Sequence, residues 1–282
     1  MSTNHQPPIP DVNDANTWYF RMLISADNEY NIYNKYYPCL TTTNEYQQIL
    51  QTKKFVTHDS NVLTVTGSGE QPLFFKLFGA KHVLTFDISY HSYLMTQLKI
   101  TALKTFRNTK DYYKFLYDMH NTEDTEFLES KIINSVIQNL NKTEKDYFYK
   151  MVQKIRLFYT RDNCDLYTIS NKDYKKLREN QKEPFDFIWT DIIDLDKKVN
   201  NNTFDIVYYS NICNFLRQRD FKRVLQKTQT LLKPHGKLFL ITNECQKDLT
   251  LETVGDCPFT QFESVNIFPK KLGFYLVVAQ TR

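Results

Sequence analysis

Between Asn61 and Asp87 the chain runs through a strand, a glycine turn, a helix, a glycine stop and a second strand, and this order constrains the fold more than any other stretch. Asn61-Val-Leu-Thr-Val-Thr is a β-branched run ending at Gly67, and Pro72-Leu-Phe-Phe-Lys-Leu-Phe is an amphipathic helical segment that stops at Gly79. His82-Val-Leu-Thr-Phe-Asp87 follows as a buried-type strand, and Tyr90 to Phe106 as a helix with Leu94, Leu98 and Ala102 in line. The chain has only six glycines in 282 residues, where average usage of about 7% would give about twenty. Three of them, Gly67, Gly69 and Gly79, fall inside this unit, so the backbone there needs conformations that other residues resist.

Further along, the alternation resumes. Phe185 to Asp191 and Phe204 to Ser210 read as strands, Arg217 to Leu232 as a helix stopped by Pro234 and Gly236, and Lys237 to Thr242 as another strand. Phe262 to Ile267 and Gly273 to Ala279 read as a closing antiparallel hairpin. Strands alternating with helices predict an α/β fold, a Rossmann-like, doubly wound, mainly parallel sheet that takes its ligand at the carboxyl ends of the strands. Residues 1–16 form a polar tail, 17–58 an N-terminal helical segment carrying Trp18, Met22, Leu23, Tyr30, Tyr33 and Tyr37, and 59–282 the main domain. Within that domain, residues 107–165 show apolar positions only at helical spacing, among them Phe115, Leu116, Met119, Ile132, Ile133, Val136 and Ile137, which predicts a helical insertion covering one end of the sheet beside the crevice as a lid. The dense tyrosines Tyr19, Tyr30, Tyr33, Tyr36 and Tyr37 line a pocket or fill a core, and core packing is the commoner use of such residues.

Charge and cysteine usage narrow the function classes. Lys and Arg total 36 against 32 Asp and Glu, a net of +4 with no long block of like charge, which argues against a nucleic-acid partner. Five cysteines without a CxxC pair suggest neither a disulfide framework nor a zinc knuckle, and point to a reducing, cytoplasmic setting. His58, His82, His91, His120 and His235 have no metal-ligand spacing and read as surface or capping residues, so no metal is expected. No stretch approaches the ~18 apolar residues of a membrane span, and the N-terminus lacks an apolar leader core. Neither a GxSxG elbow nor a P-loop occurs, which removes the hydrolase and NTPase readings and leaves a small-molecule acceptor as the expected partner.

The sharpest local signal is Thr66-Gly67-Ser68-Gly69-Glu70-Gln71-Pro72, with Asp87 ending the next strand and Ile88 beside it. Glycines at such a turn let the backbone approach a ligand, and a carboxylate about twenty residues on accepts hydrogen bonds from ribose hydroxyls. The dinucleotide fingerprint is broken, because Pro72 takes the place of its third glycine and Glu70 puts a negative charge where a pyrophosphate would lie. A nucleoside ligand with a cationic centre and no phosphate fits better, and S-adenosylmethionine is such a ligand. Asp191, at the end of the third strand, either accepts a hydrogen bond from the adenine amine or caps the following segment. Ser210 and Asn211 end the fourth strand at the crevice, where they hold the transferred group or acceptor, or cap the next helix.

These motifs resemble a known family. Asn61 to Leu73, Phe78 to Ser89, Leu98 to Lys104 with Tyr113-Lys-Phe-Leu, and Phe204 to Ile212 are similar in order and spacing to the betaine-lipid enzyme family, S-adenosylmethionine:diacylglycerol 3-amino-3-carboxypropyltransferase and its relatives, over residues 60–240. The resemblance implies a class I methyltransferase-like fold and S-adenosylmethionine as cofactor. It also implies cofactor-loop roles for Gly67 and Gly69, a ribose role for Asp87, and Ser210 and Asn211 as the pair at the end of the fourth strand; the loop neighbours Thr66, Ser68 and Glu70 are expected to touch the cofactor, and Ser210 and Asn211 to serve the reaction. The expected activity is transfer of the 3-amino-3-carboxypropyl group to a small acceptor with release of 5′-methylthioadenosine. Methyl transfer from the same cofactor is the alternative, and a non-catalytic cofactor-binding or interaction protein is the reading from another class. An acid after the glycines is the feature expected to turn the cofactor's γ-carbon toward the crevice. Ordinary class I methyltransferases often carry an acid two residues before the first loop glycine, where this chain has Val65.

Overall fold

The computed structural model describes residues 46–121, 128–154, 169–180, 185–212, 216–243, 247–259, 261–266 and 274–281. The polar tail and the tyrosine-rich stretch before Tyr46 lie outside the described residues.

The first described element, α1 (Tyr46–Thr52), leads through a short 3-10 turn into β1 (Asn61–Val65). The unit read from the glycine pattern follows as α2 (Glu70–Phe78), β2 (His82–Asp87) and α3 (Tyr90–Thr105). Helices α4 (Thr109–Asn121), α5 (Lys131–Ile137), α6 (Lys142–Lys154) and α7 (Asn171–Asn180) come before β3 (Asp186–Trp189). A 3-10 helix (Ile192–Lys197), β4 (Phe204–Tyr209), α8 (Gln218–Leu231), β5 (Leu232–Asn243), α9 (Lys247–Gly255), β6 (Gln261–Asn266) and β7 (Phe274–Gln280) complete the chain.

The strands form one seven-stranded sheet in the order β3-β2-β1-β4-β5-β7-β6. β1 is parallel to β2 and β4, β2 to β3, and β4 to β5, whereas β7 is antiparallel to both β5 and β6. This is the Rossmann-like doubly wound architecture, and the chain order reverses direction at β1, where β2 lies on one side and β4 on the other. In sheets of this order the ligand crevice lies outside the carboxyl ends of the strands at that reversal.

Side chains alternate across the strands and divide the core in two. Val62, Ile206, Tyr208, Phe239, Ile241, Leu276 and Val278 pack on the face covered by α2, α3 and the helices that follow. Leu63, Val207, Tyr209, Leu238, Leu240, Val277 and Ala279 pack on the face covered by α8 and α9. The period of two sends neighbouring residues to opposite faces, so strands buried on both sides must be apolar throughout. Helix α8 meets its face with Phe221, Val224, Leu225, Thr228 and Leu231, the spacing of a single helical stripe.

Helices α4, α5 and α6 join the core through Tyr112, Phe115, Leu116, Met119, Ile133, Val136, Ile137 and Phe148. They pack on α3 and on one another. At the crevice end of α3, the ring of Tyr147 on α6 meets Tyr90 at 5.5 Å and His91 at 6.1 Å. Helix α7, beyond residue 165, ties the layer down: Arg178 Nε donates to the Leu103 carbonyl at 2.8 Å and Asn180 Nδ2 to the Lys76 carbonyl at 3.0 Å.

Most boundaries lie within two residues of the sequence reading, and two strands show why they shift. The third strand is shorter than Phe185 to Asp191: Thr190 N–H makes the last ladder bond, to the Asp87 carbonyl at 3.0 Å, and Asp191 then turns to cap the next segment. The fifth strand begins five residues before Lys237, directly after α8. Pro234 and Gly236 therefore sit in an irregular stretch of strand, where the partner register jumps from Phe204↔Leu232 to Ile206↔Lys237 and His235 adopts a φ of 62°.

Candidate functional site

The loop after β1 is built by three backbone constraints. Thr66 N–H bonds to the Phe86 carbonyl at 2.8 Å and Gly69 N–H to the Thr66 carbonyl at 2.9 Å, which folds residues 66–69 into a tight turn. Gly67 has a φ of 54° and Gly69 a φ of 91°, the left-handed region that favours glycine. At Gly69 space is also a constraint: a Cβ there would lie 2.7 Å from Thr96 Oγ1 and 2.9 Å from Thr96 Cα, so the missing side chain lets α2 start against α3.

Asp87 brackets this loop. Its Oδ2 accepts Gly67 N–H at 3.0 Å and its Oδ1 accepts Ser89 N–H at 2.8 Å, tying the end of β1 to the end of β2. Burial of the carboxyl raises its pKa to about 6, a rise held back by the N–H groups of Ser89 and Gly67, the Ser92 side chain and the Ile88 N–H. These four donors match the about four acceptor sites of a carboxylate, so a ribose hydroxyl bound here would share or replace one of them. Beside it, the Trp189 indole donates from Nε1 to the Ile88 carbonyl at 2.8 Å and fixes the turn after β2.

Glu70 is placed otherwise than its sequence position suggested. Its carboxylate is fully buried and paired with the ammonium of Lys99 on α3, and its other oxygen accepts the Ser68 hydroxyl. Lys99 also donates to the Ser68 carbonyl at 2.7 Å. The negative charge is thus turned into the protein and neutralised there, rather than presented to a ligand.

Asp191 adopts the capping geometry: its Oδ1 accepts Ile193 N–H at 3.0 Å at the start of the 3-10 helix. Ser210 and Asn211 follow β4 at the crevice, Asn211 with a left-handed φ of 46°. The strand ends therefore bring Thr66 to Gly69, Asp87, Ile88, Asp191, Ser210 and Asn211 to one edge of the sheet.

The reading of the histidines as surface or capping groups fails for His91. Its side chain is fully buried at the start of α3, and burial lowers its pKa to about 3, so the ring is neutral at physiological pH. No group of three or more metal-ligating side chains occurs among the described residues. Nor is any described helix long and apolar enough to cross a membrane.

Sequence reasoning assigned no role to three residues at this site. Lys99 carried a signal, as a lysine in line with Met95 and Leu103 on the buried stripe of α3. Gln71 and Trp189 carried none, because neither residue type is unusual in a helix or a strand.

A family model described as a methyltransferase domain matches residues 152–240. The match takes in β3, β4, α8 and β5 as far as Leu240, and leaves the glycine loop and Asp87 outside. No curated protein matches the chain. Among solved structures it is similar to an rRNA methylase from Streptococcus thermophilus, with 11% identity, a TM-score of 0.45 and coverage of 86% of this chain and 98% of that one. It is also similar to a SAM-dependent methyltransferase from Methanosarcina mazei, with 10% identity, a TM-score of 0.41 and coverage of 81% and 95%. An N-methyltransferase from Bradyrhizobium japonicum gives 8% identity, a TM-score of 0.44 and coverage of 84% and 96%. The described sheet is thus Rossmann-like and doubly wound, and the methyltransferase-domain match falls on its β3 to β5 segment.

Proposed function

We propose that the protein is a methyltransferase that moves the methyl group of S-adenosylmethionine to a small-molecule acceptor. The observation that carries this reading is the bracket of Gly67, Asp87 and Ser89 at the point where the chain order of the sheet reverses, combined with a methyltransferase domain match over the strands that follow. The residues fit the cofactor: a buried carboxylate at the end of β2 as ribose acceptor, and a glycine turn that permits close backbone approach.

When bound, the cofactor supplies a methyl group made electrophilic by the sulfonium. Asp87 holds the ribose. Trp189 fixes the Ile88 turn beside it. Ser210 and Asn211, at the end of β4, orient the acceptor so that its nucleophile approaches in line, and the protein contributes chiefly positioning and exclusion of water.

Transfer of the 3-amino-3-carboxypropyl group loses its physical basis at Glu70. That expectation relied on an acid after the glycines turning the cofactor's amino-acid end, and the acid is paired with Lys99 instead. Methyl transfer is also the reading that the domain match supports.

The test is calorimetric titration with S-adenosylmethionine, followed by incubation with a pool of small-molecule acceptors and chromatography of the adenosine products. Wild type should bind and yield acceptor-dependent S-adenosylhomocysteine, and Asp87→Ala should lose both. Acceptor-dependent 5′-methylthioadenosine in place of S-adenosylhomocysteine would overturn methyl transfer, and absence of binding would overturn the cofactor assignment.

A further inference from the structure

We propose that the Gln71 side chain receives the α-ammonium of the cofactor's amino-acid end, an inference that rests on the function proposed above. Gln71 is the second residue of α2 and is 1% exposed, and its Oε1 is buried without a hydrogen-bond partner. Such orphaned acceptors are rare, because a buried carbonyl oxygen left unpaired loses the hydrogen bonds that water gave it.

The position of the amide says what would fill the gap. A Cβ built on Gly67 would lie 2.8 Å from Gln71 Nε2 and 3.1 Å from Oε1, so the amide rests on the bare Cα of the first loop glycine. Gly67 therefore has a second reason to lack a side chain, beyond its φ of 54°. The same glycine donates its N–H to Asp87, which puts Gln71 and the ribose carboxylate on the two sides of one residue.

Elimination points the same way. A cation bound at this loop needs an acceptor, and the nearby candidates are few. Val65 is apolar, and the Glu70 carboxylate is held by Lys99 and the Ser68 hydroxyl. Asp87 is engaged by Gly67 and Ser89 and serves the ribose. Gln71 Oε1 is the acceptor left at the loop among these, and an ammonium is the donor that gains most from an amide carbonyl shielded from water.

The experiment compares two ligands that differ only in that ammonium, S-adenosylhomocysteine and its desamino analogue 5′-(3-carboxypropylthio)-5′-deoxyadenosine, titrated calorimetrically into wild type, Gln71→Leu and Gln71→Glu. Wild type should prefer S-adenosylhomocysteine by roughly tenfold, the ratio that one hydrogen bond to a charged group confers. Gln71→Leu should abolish the preference while its affinity for the desamino analogue stays at the wild-type level, which also shows that the variant is folded. Gln71→Glu should keep or widen the preference. An unchanged preference in Gln71→Leu, or an equal loss for both ligands, would overturn the proposal while leaving the cofactor assignment standing. Failure of wild type to bind either ligand would overturn both.

Discussion

The Lys99 ammonium and the Glu70 carboxylate form an ion pair that water reaches from neither side, joining the first turn of α2 to the middle of α3. Removing one partner leaves the other charge buried and unpaired, which costs about 3–5 kcal/mol, whereas replacing both with apolar groups of similar volume is often neutral. Lys99→Met should therefore lower unfolding free energy by about that amount, and Lys99→Met combined with Glu70→Leu should recover most of it. Denaturant titration of the two single variants and the double variant measures the coupling. A double variant no more stable than Lys99→Met would show that the pair does not act as a unit.

Asp87 should make both stability and cofactor affinity depend on pH. Its folded pKa lies near 6, above its ordinary value, so between about pH 4 and 6 the native state binds more protons than the unfolded chain. Stability attributable to this group is greatest below pH 4 and falls as pH rises to 6. Cofactor affinity runs the other way, since the ribose hydroxyls need the ionised acceptor, and it should weaken about fivefold from pH 6 to pH 5. Asp87→Asn should flatten both profiles in parallel titrations. A pH slope that survives in Asp87→Asn would assign the effect elsewhere.

Gly69 and Gly79 separate backbone strain from crowding. Both have positive φ, but a Cβ at Gly79 would meet nothing within 4 Å, whereas at Gly69 it would enter Thr96. Gly79→Ala should cost about 1 kcal/mol of strain, and Gly69→Ala should cost that plus about 1–3 kcal/mol of overpacking. The denaturation midpoints of the two variants give the comparison. Equal losses would mean that α3 yields to the added methyl group.

Asp191 should behave as a cap. Asp191→Ala is expected to lower stability by about 1 kcal/mol, and Asp191→Asn by much less, since its amide oxygen still accepts from Ile193. Calorimetry with S-adenosylmethionine on Asp191→Asn shows whether the carboxylate has a second role at the adenine. An affinity loss without a stability loss would establish that role.

The fold was legible where pattern and packing share a period. The βαβα unit, the parallel strands and the terminal hairpin follow from β-branched runs, helical stripes and glycine stops, signals that survive in any tertiary context. The site was legible at Gly67, Gly69 and Asp87, because backbone conformation and spacing restrict residue type there. It was not legible at Glu70, whose position suggested a charge facing the ligand. The partner that reverses that reading, Lys99, lies 29 residues away on another helix, and sequence adjacency says nothing of it. Nor does any pattern mark Gln71, since an unfilled hydrogen bond exists only once the loop and helix are in place.

The strand order also sets a timetable. β1 and β2 lie next to each other in the chain, but β2 waits for β3, with Thr85 bonding to the Asp186 carbonyl across 101 residues, and β1 waits for β4, with Asn61 bonding to Asp205 across 144. At about 5–20 residues per second of synthesis, both flanks of the nascent pair stay uncovered for on the order of ten seconds. The helices between β2 and β3 emerge in that interval and have only α2 and α3 to pack upon. Burying α3 early shields the apolar side of the half-built sheet while its hydrogen-bonding edges remain open, the period in which a nascent chain of this topology is most exposed to mispairing.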